Sequence, residues 1–253
     1  MQFWRTFVAC VCTVGVLTSS LEMSSSIISK LPPVAANARR VFMVRHGEVI
    51  PPNGAAHGVH YGDMDVDLSP LGKKEATAAA EYLSQYTLHS VYSSPLSRAV
   101  YGAEEVRKSR SFSPKQETLT LPGFSELCRG AWRMKTKDEI GLETYAKFNG
   151  CDESVTPEGG ESIMTVKNRV MGALNEIVKS TPDGEVTCVV SHLWVTRSMI
   201  SDALGLDPSK MNEVDIPTAS ISCVDYEEGG KAQVVMQGFK PDVGLEKSKD
   251  TGN

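Results

Sequence analysis

The sequence lacks the patterns that signal a structural metal site, a disulfide framework or a nucleotide-binding loop. It has six cysteines in 253 residues, two of them within the first 38. The other four, Cys128, Cys151, Cys188 and Cys223, show no CxxC spacing, and the last two lie in apolar runs. Reduced, buried thiols are therefore favoured over disulfides or a metal centre. With no GxxxxGK[ST] run either, we expect no metal and no other cofactor.

Positive charge is also scarce. The chain has 26 Lys or Arg and 31 Asp or Glu, and setting aside two cations and one anion in residues 1–38 leaves 24 against 30, a net charge of −6. This balance argues against non-specific binding to nucleic acid, so we predict no nucleic-acid partner. It is still compatible with a local cationic pocket.

Residues 1–38 are predicted to be an N-terminal targeting segment, disordered or cleaved. Arg5 precedes a short apolar stretch, residues 6–17, which is too short for a comfortable membrane span but suits a signal-peptide core. Ala36-Asn37-Ala38 is a small-x-small cleavage candidate. We predict delivery to an organelle or to the secretory pathway. A membrane anchor and an untargeted cytoplasmic extension are the alternatives.

Strand-like and helix-like segments alternate over residues 39–240, which we predict to be one domain, followed by a flexible tail at 241–253. Strands are predicted at 41–45, 90–92, 116–121, 185–191, 219–225 and 232–238, and the last two flank a hairpin turn. Helices are predicted within 69–86, 93–109, 136–147, 163–177 and 193–205 from apolar residues at helical spacing. This alternation predicts an α/β fold with a largely parallel sheet.

Charged residues follow three of the predicted strands. Arg45 and His46 end the first, Arg98 follows the second, and His192 ends the most apolar one. Because ligands bind at the carboxyl ends of parallel strands, we expect these four side chains to converge. Arginine matches phosphate oxygens with a planar fork, and histidine can carry a covalent phosphoryl group. The set therefore indicates an anion site. His57, His60 and His89 lack partners at ligand spacing and are expected at the surface.

Five short motifs extend this pattern. The chain contains VRHGE at 44–48, SSPLSRA at 93–99, a glutamate shortly before GAW at 130–132, PEGGES at 157–162 and VVSH at 189–192. In this order they resemble the histidine phosphatase superfamily, the phosphoglycerate-mutase-like proteins, over about residues 40 to 240. The resemblance implies a three-layer αβα sandwich with a mostly parallel central sheet, and a phosphohistidine intermediate.

The resemblance also implies a role for each matching residue. His46 is the nucleophile, with its second ring nitrogen oriented by a backbone carbonyl. Arg45 and Arg98 bind the non-bridging phosphate oxygens, and His192, protonated beside phosphate, supplies a further contact. Glu126 protonates the leaving alkoxide and later takes a proton from the attacking water. The implied function is a metal-independent phosphomonoester hydrolase.

The sequence departs at two positions from the motifs of the family. Many members continue RHG as Glu-Thr-x-Trp-Asn, whose Asn helps to hold phosphate, whereas here the corresponding Asn53 is displaced by one residue. The usual glycine after the second histidine is Leu193. Asn53 is kept as a candidate specificity residue, with a reduced reach toward phosphate.

The segment after Glu126 favours a hydrolase over a mutase. Mutases carry a basic run with His and Tyr there, whereas SELCRGAWRMKTK resembles the phosphatase branch. Its cations, among them Arg129 and Arg133, are candidates for recognising a second anionic group on the substrate. A solvated charge run, balanced by Asp138 and Glu139, explains them equally well.

Three alternative functions remain open at this point. They are a phosphoglycerate mutase, a phosphoprotein phosphatase anchored through its N-terminal segment, and a non-catalytic phosphate-binding scaffold. The expected substrate is a small phosphorylated metabolite, with a phosphoprotein as the alternative. A homodimer is compatible with the sequence.

Overall fold

The computed structural model describes residues 31–55, 58–109 and 118–244. Within them the strands are β1 (Ala38–Arg45), β2 (Ser90–Ser93), β3 (Leu119–Thr120), β4 (Val186–Ser191), β5 (Ile221–Glu227) and β6 (Ala232–Phe239). The α-helices are α1 (Pro70–Leu83), α2 (Ser97–Lys108), α3 (Lys137–Ile140), α4 (Leu142–Asn149), α5 (Ile163–Ser180) and α6 (Leu193–Ala203). Most of the predicted leader and most of the predicted tail lie outside the described residues.

The strands form one sheet in the order β3-β2-β4-β1-β5-β6. The pairs β3/β2, β2/β4 and β4/β1 are parallel, whereas β5 is antiparallel to both β1 and β6. The prediction of a mostly parallel sheet ending in a hairpin is therefore confirmed. The strand β1 lies in the middle, so the residues that follow it are surrounded by the ends of neighbouring strands.

Helices cover both faces of the sheet, as the alternation of side chains along β1 requires. Val41 and Met43 pack in one apolar cluster with the buried faces of α5 and α6. Phe42 and Val44 point the other way and pack with α1 and α2. The result is the three-layer αβα sandwich that the family resemblance implied, with both sheet faces buried.

The last residues of the predicted leader are in contact with this core. Leu31 and Val34 pack against the cluster on the α1/α2 face. The Pro32 carbonyl accepts a hydrogen bond of 2.7 Å from Nη1 of Arg40, a buried arginine that also pairs with Asp225. Residues 31–38 therefore contribute to the packing of the domain.

The helices lie at the positions that the sequence pattern predicts, but one of the predicted helices is interrupted. The helix predicted near 136–147 is two short helices, because Gly141 has a φ of 97° and interrupts the turn between α3 and α4. The strand predicted at 116–121 is only two residues long where the structure describes it. No helix within 31–55, 58–109 and 118–244 is both long and apolar enough to cross a bilayer.

Candidate active site

His46 leaves the end of β1 and is 1% exposed. Its Nδ1 lies 2.8 Å from the carbonyl oxygen of Gly47. A carbonyl oxygen can only accept, so Nδ1 carries the proton and Nε2 keeps a lone pair. No hydrogen-bond partner for Nε2 is present among the described residues. The ring is thus held by one nitrogen, and the lone pair of the other is not engaged by any described residue.

Gly47 makes this orientation compatible with the packing of α1. A Cβ atom at Gly47 would overlap the carbonyl oxygen of Gly72, and one at Gly72 would overlap the carbonyl oxygen of Glu48. Ser69 caps α1 by accepting from the amide of Gly72 at 3.0 Å. The exit of β1 and the start of α1 therefore fit together only because two glycines face each other.

Arg45 and Arg98 are buried and fixed by backbone carbonyls. Nη1 of Arg45 donates to the Ile216 carbonyl at 2.8 Å. Arg98 donates from both terminal nitrogens, to the carbonyls of Met64 and Gly62, each at 2.7 Å. Nε and Nη2 of Arg45 and Nε of Arg98 are buried without a partner among the described residues. These N–H groups can bind the oxygens of an anion without moving the side chains.

His192 follows β4 and begins α6. Its ring centroid lies 5.1 Å from that of His46, at an interplanar angle of 61°. Nε2 forms a hydrogen bond of 2.7 Å with Oγ of Ser94, while buried Nδ1 lacks a partner within the described part of the chain. Ser94 was missed at the sequence level, although its position directly after β2 could have indicated it. We call Arg45, His46, Arg98 and His192 the Arg/His cluster.

Burial lowers the pKa of both histidines well below the ordinary value, and the charges of Arg98 and Arg45 lower each further. Both imidazoles are therefore neutral near pH 7 before an anion binds. For His46 this leaves the lone pair available. The sequence expectation of a protonated His192 concerns the phosphate-bound site, where the negative charge would oppose the effect of burial.

Glu126 lies in a buried loop before α3 and is 1% exposed. One carboxylate oxygen accepts from the amide of Leu127 at 2.8 Å. Arg169 of α5 holds the loop by donating to the carbonyls of Gly123, Ser125 and Glu126 at 3.0, 2.7 and 3.2 Å. Its guanidinium also pairs with Glu161, whose carboxylate accepts from the amide of Cys128. A network of backbone bonds thus fixes the position of Glu126.

Three guanidinium groups lie within electrostatic reach of Glu126. Burial lowers the pKa of Arg98, Arg129 and Arg197, and the negative charge of Glu126 offsets part of that effect in each. For Arg197 the pKa is lowered to about 10, by burial and then by Arg45. Glu126 therefore interacts electrostatically with Arg98 of the Arg/His cluster and with two further arginines.

Arg197 was missed at the sequence level. It lies on α6, five residues after His192, with Nε donating to the Val214 carbonyl at 3.0 Å and its guanidinium over the ring of Trp194. It lines a cavity of about 280 Å³ that also borders Arg45 and Thr218. Its signal in the sequence was a lone cation on the helix that the second histidine begins.

The structure separates the other candidate residues. Asn53 is exposed in a 3₁₀ turn with a φ of 56°, in contrast to the buried Arg/His cluster. Arg133 is 43% exposed and pairs with Asp63, whereas Arg129 is fully buried. His60, expected at the surface, is instead buried, because its ring stacks on Tyr145 of α4. His57 lies outside the described residues.

Within 31–55, 58–109 and 118–244, no group of three or more His, Cys, Asp or Glu side chains is arranged to hold a metal ion. The cationic groups around His46 are arginines. Such a site can bind an anion through N–H donors.

The αβα sandwich has Arg45, His46 and His192 at the carboxyl ends of parallel strands and Arg98 at the start of α2. This arrangement defines a class of α/β protein whose site is suited to a small anion. Comparison with known proteins identifies the family. Residues 41–237 match the histidine phosphatase superfamily (branch 1), and the chain belongs to this family of enzymes.

Individual relatives are similar over most of the chain. Phosphoserine phosphatase 1 of Hydrogenobacter thermophilus is 34% identical over 193 residues, which cover 75% of this chain and 87% of the relative. The probable phosphoglycerate mutase GpmB of Yersinia enterocolitica is 26% identical over 75% of this chain and 86% of its own length. The solved structure of YhfR from Bacillus stearothermophilus superposes with a TM-score of 0.71 at 22% identity, covering 81% of this chain and all of that one.

Proposed function

We propose that the protein is a metal-independent phosphomonoester hydrolase that acts through a phosphohistidine on His46. The observation that carries the proposal is the state of the His46 ring. Its Nδ1 is tied to the Gly47 carbonyl. Its Nε2 is unprotonated and has no hydrogen-bond partner among the described residues, and it lies beside His192 and the N–H groups of two arginines. A neutral, oriented imidazole next to anion donors is what attack on phosphorus requires.

In the first step, Nε2 of His46 attacks phosphorus and the bond between phosphorus and the ester oxygen breaks. Arg45, Arg98 and His192 bind the three non-bridging oxygens, where the charge of a loose transition state resides. Glu126, in its protonated form, donates its proton to the departing oxygen, so that an alcohol leaves. The phosphoryl group is then carried by His46.

In the second step, water attacks the phosphohistidine. Glu126, now a carboxylate, accepts one proton of the water while the bond between Nε2 and phosphorus breaks. Inorganic phosphate leaves, and His46 and protonated Glu126 are restored. The arginine charges do not change during the cycle, so they stabilise the transferring group in both steps.

Two observations favour hydrolysis of small metabolites. His46, Arg98 and His192 are almost completely buried, which suits a small ester better than a segment of a folded phosphoprotein. The relative of 34% identity is named a phosphoserine phosphatase, so phosphoserine is the first substrate to assay. Mutase activity is the second candidate, favoured by the similarity to GpmB, and assays with and without a bisphosphoglycerate activator separate the two.

The test is to trap the intermediate. The full chain is mixed with ³²P-labelled phosphoserine in the presence of a chelator, quenched in base and digested. We expect acid-labile, base-stable label on the peptide containing His46, and none in His46→Ala. Turnover that persists in His46→Ala overturns the proposal, as does activity that requires an added metal.

For residues 1–38 we propose import into an organelle or the secretory pathway. The support is the short apolar stretch behind Arg5. Fusing residues 1–38 to a fluorescent protein tests this. A diffuse cytoplasmic signal and an unprocessed fusion contradict it.

A further inference from the structure

Glu75 is a buried carboxylate on the inner face of α1, among buried alanines. Its exposure is 1%, and both of its oxygens are engaged. Oε2 accepts from the backbone amide of Glu48 at 2.7 Å, and Oε1 accepts from Nζ of Lys240 at 2.5 Å. Burying a carboxylate is costly unless it is paired and hydrogen-bonded, so this position is built to hold one. It is not needed to cap α1, because Ser69 does so.

The amide that Glu75 binds belongs to the peptide group that orients His46. This group joins Gly47 to Glu48, and its carbonyl lies 2.8 Å from Nδ1 of His46. A trans peptide group is planar, and its N–H and C=O point in opposite directions. The carboxylate of Glu75 and the ring of His46 are therefore bonded to opposite ends of one rigid unit. A rotation that breaks the first bond also moves the acceptor of the second.

Gly47 does not fix this peptide group by itself. Glycine has the widest range of backbone angles, so the orientation depends on bonds from outside. Glu75 supplies the bond on one side of Gly47. On the other side, the carbonyl of His46 accepts from the amide of Ala219 at 3.0 Å. The two peptide groups that flank Gly47 are thus held from opposite directions.

Lys240 connects these two supports. It directly follows β6, and its Nζ donates both to Glu75 and to Oγ1 of Thr218, the latter at 3.2 Å. Thr218 immediately precedes Ala219, which holds the His46 carbonyl. The Lys240 side chain is 27% exposed, whereas that of Glu75 is 0% exposed. The cation therefore closes the buried network from its solvent side.

We propose that Glu75 and Lys240 are positioning residues for the nucleophile, and that they act on His46 through the peptide group between Gly47 and Glu48. This inference rests on the proposed hydrolase function. When Nε2 attacks phosphorus, the ring gains positive charge and its Nδ1–H becomes a stronger donor. A carboxylate bonded to the N–H of the peptide polarises its carbonyl, which then stabilises the charged ring. Lys240 keeps the carboxylate paired and in place.

A second ion pair on β6 provides the matched control. Lys231 directly precedes the strand and pairs with Glu227 at 3.1 Å, with side chains 71% and 31% exposed. Lys231→Met makes the same change of charge next to the same strand as Lys240→Met. The difference is that Glu227 lies at the end of β5 that is remote from the Ala219 support.

The first measurement reads the tautomer of His46 without substrate. In the full chain labelled with ¹⁵N-histidine, the wild type should show a protonated Nδ1 and an unprotonated Nε2, assigned by the loss of these signals in His46→Ala. In Glu75→Ala we expect signals of both tautomers, because the peptide group is no longer held. Lys231→Met should give the wild-type spectrum.

The second measurement separates chemistry from anion binding. In Glu75→Ala we expect kcat for phosphoserine to fall about 10-fold, the typical effect of losing a hydrogen bond to a charged group. Lys240→Met should lower it less, and Lys240→Arg should restore most of the loss. The competitive inhibition constant of inorganic phosphate should be nearly unchanged in all three, since the arginines that bind the anion are untouched.

Urea denaturation identifies the folded variants, and Lys240→Met keeps the test decisive if Glu75→Ala does not fold. A single tautomer in folded Glu75→Ala overturns the proposal, as does a wild-type kcat in folded Lys240→Met. An equal loss of kcat in Lys231→Met overturns it too. Absence of label on wild-type His46 would instead overturn the hydrolase mechanism. Because the tautomer is read without substrate, the two failures are distinguishable.

Discussion

His46 and His192 lie at the ends of two parallel core strands, whereas Glu126, Arg129 and His60 lie on loops around short helices. The first pair is held by paired strands on both sides, which fix the backbone before any side chain is placed. The second group depends on backbone bonds between loops, on the bonds that Arg169 of α5 donates to one of these loops, and on the packing of α4. In the proposed mechanism the phosphoryl side of the site is thus part of the sheet, and the leaving-group side, which contains Glu126, is formed by loops attached to it.

This difference has a chemical counterpart. The phosphoryl group is the same in every substrate of such an enzyme, so a rigid binding site suits it. The alcohol varies between substrates, and loops can change without disturbing the sheet. We therefore expect substitutions in the Arg/His cluster to lower activity on every substrate, whereas substitutions in the loops of the leaving-group side should change the preference among substrates.

The largest expected effect concerns Glu126, which in the proposed mechanism acts on the bond between the phosphoryl group and the leaving group. Glu126→Gln should lower kcat for phosphoserine by about 10²–10⁴-fold, the typical contribution of a positioned general acid. The leaving group of p-nitrophenyl phosphate needs little protonation. For this substrate, the rate of the phosphorylation step should therefore fall much less. Steady-state and burst kinetics on both substrates measure this difference. Equal losses on the two would assign Glu126 a structural role instead.

The sequence predicted the sheet side of this comparison well, for a local reason. Residues that follow an apolar strand, as His46 and His192 do, lie at the carboxyl end of that strand whatever its position in the sheet. Ser94 was missed because a serine carries no distinct chemical signal of its own, so that only its position after the strand could have indicated it.

The leaving-group side could not be predicted in the same way. Arg129 and Arg133 appeared to form one cluster because they are close in sequence. The left-handed backbone of Gly130 and the 3₁₀ turn that follows it direct one inward and the other to Asp63. The burial of His60 depends on Tyr145, 85 positions along the chain, and no local pattern reports such a contact.

A steric test addresses the sheet side. In Gly47→Ala the new methyl group would overlap the carbonyl of Gly72, so the exit of β1 must shift. We expect a loss of about 3 kcal/mol in the free energy of unfolding, as in overpacked cores, measured by urea denaturation. Gly172→Ala is the matched control, since Gly172 lies within α5 with nothing within 4 Å of the new Cβ. That change should stabilise by about 0.5–1 kcal/mol.

The pH dependence of stability tests the leaving-group side. The pKa of His60 is about 4 in the folded protein, lowered by burial and Arg129, and about 6.5 in the unfolded chain. Between these values only the unfolded state binds the proton, so acidification lowers stability. His60→Gln should remove about 2 kcal/mol of the loss between pH 7 and pH 5, measured by urea denaturation at both values. If His60→Gln and the wild type lost the same free energy of unfolding between pH 7 and pH 5, His60 would be solvated in the folded protein.

The smallest expected effect concerns the outer surface of the same loops. Arg133 is 43% exposed and pairs with Asp63 across the surface, and exposed ion pairs typically contribute less than about 1 kcal/mol. In a double-mutant cycle of Arg133→Ala and Asp63→Ala, we expect a coupling energy below about 1 kcal/mol and an unchanged preference for phosphoserine over phosphoethanolamine. A coupling well above this, together with a changed preference, would mean that the pair positions the loop bearing Arg129. The leaving-group side would then be a single rigid unit like the sheet side, because a bond on its outer surface would determine which substrate its inner surface accepts.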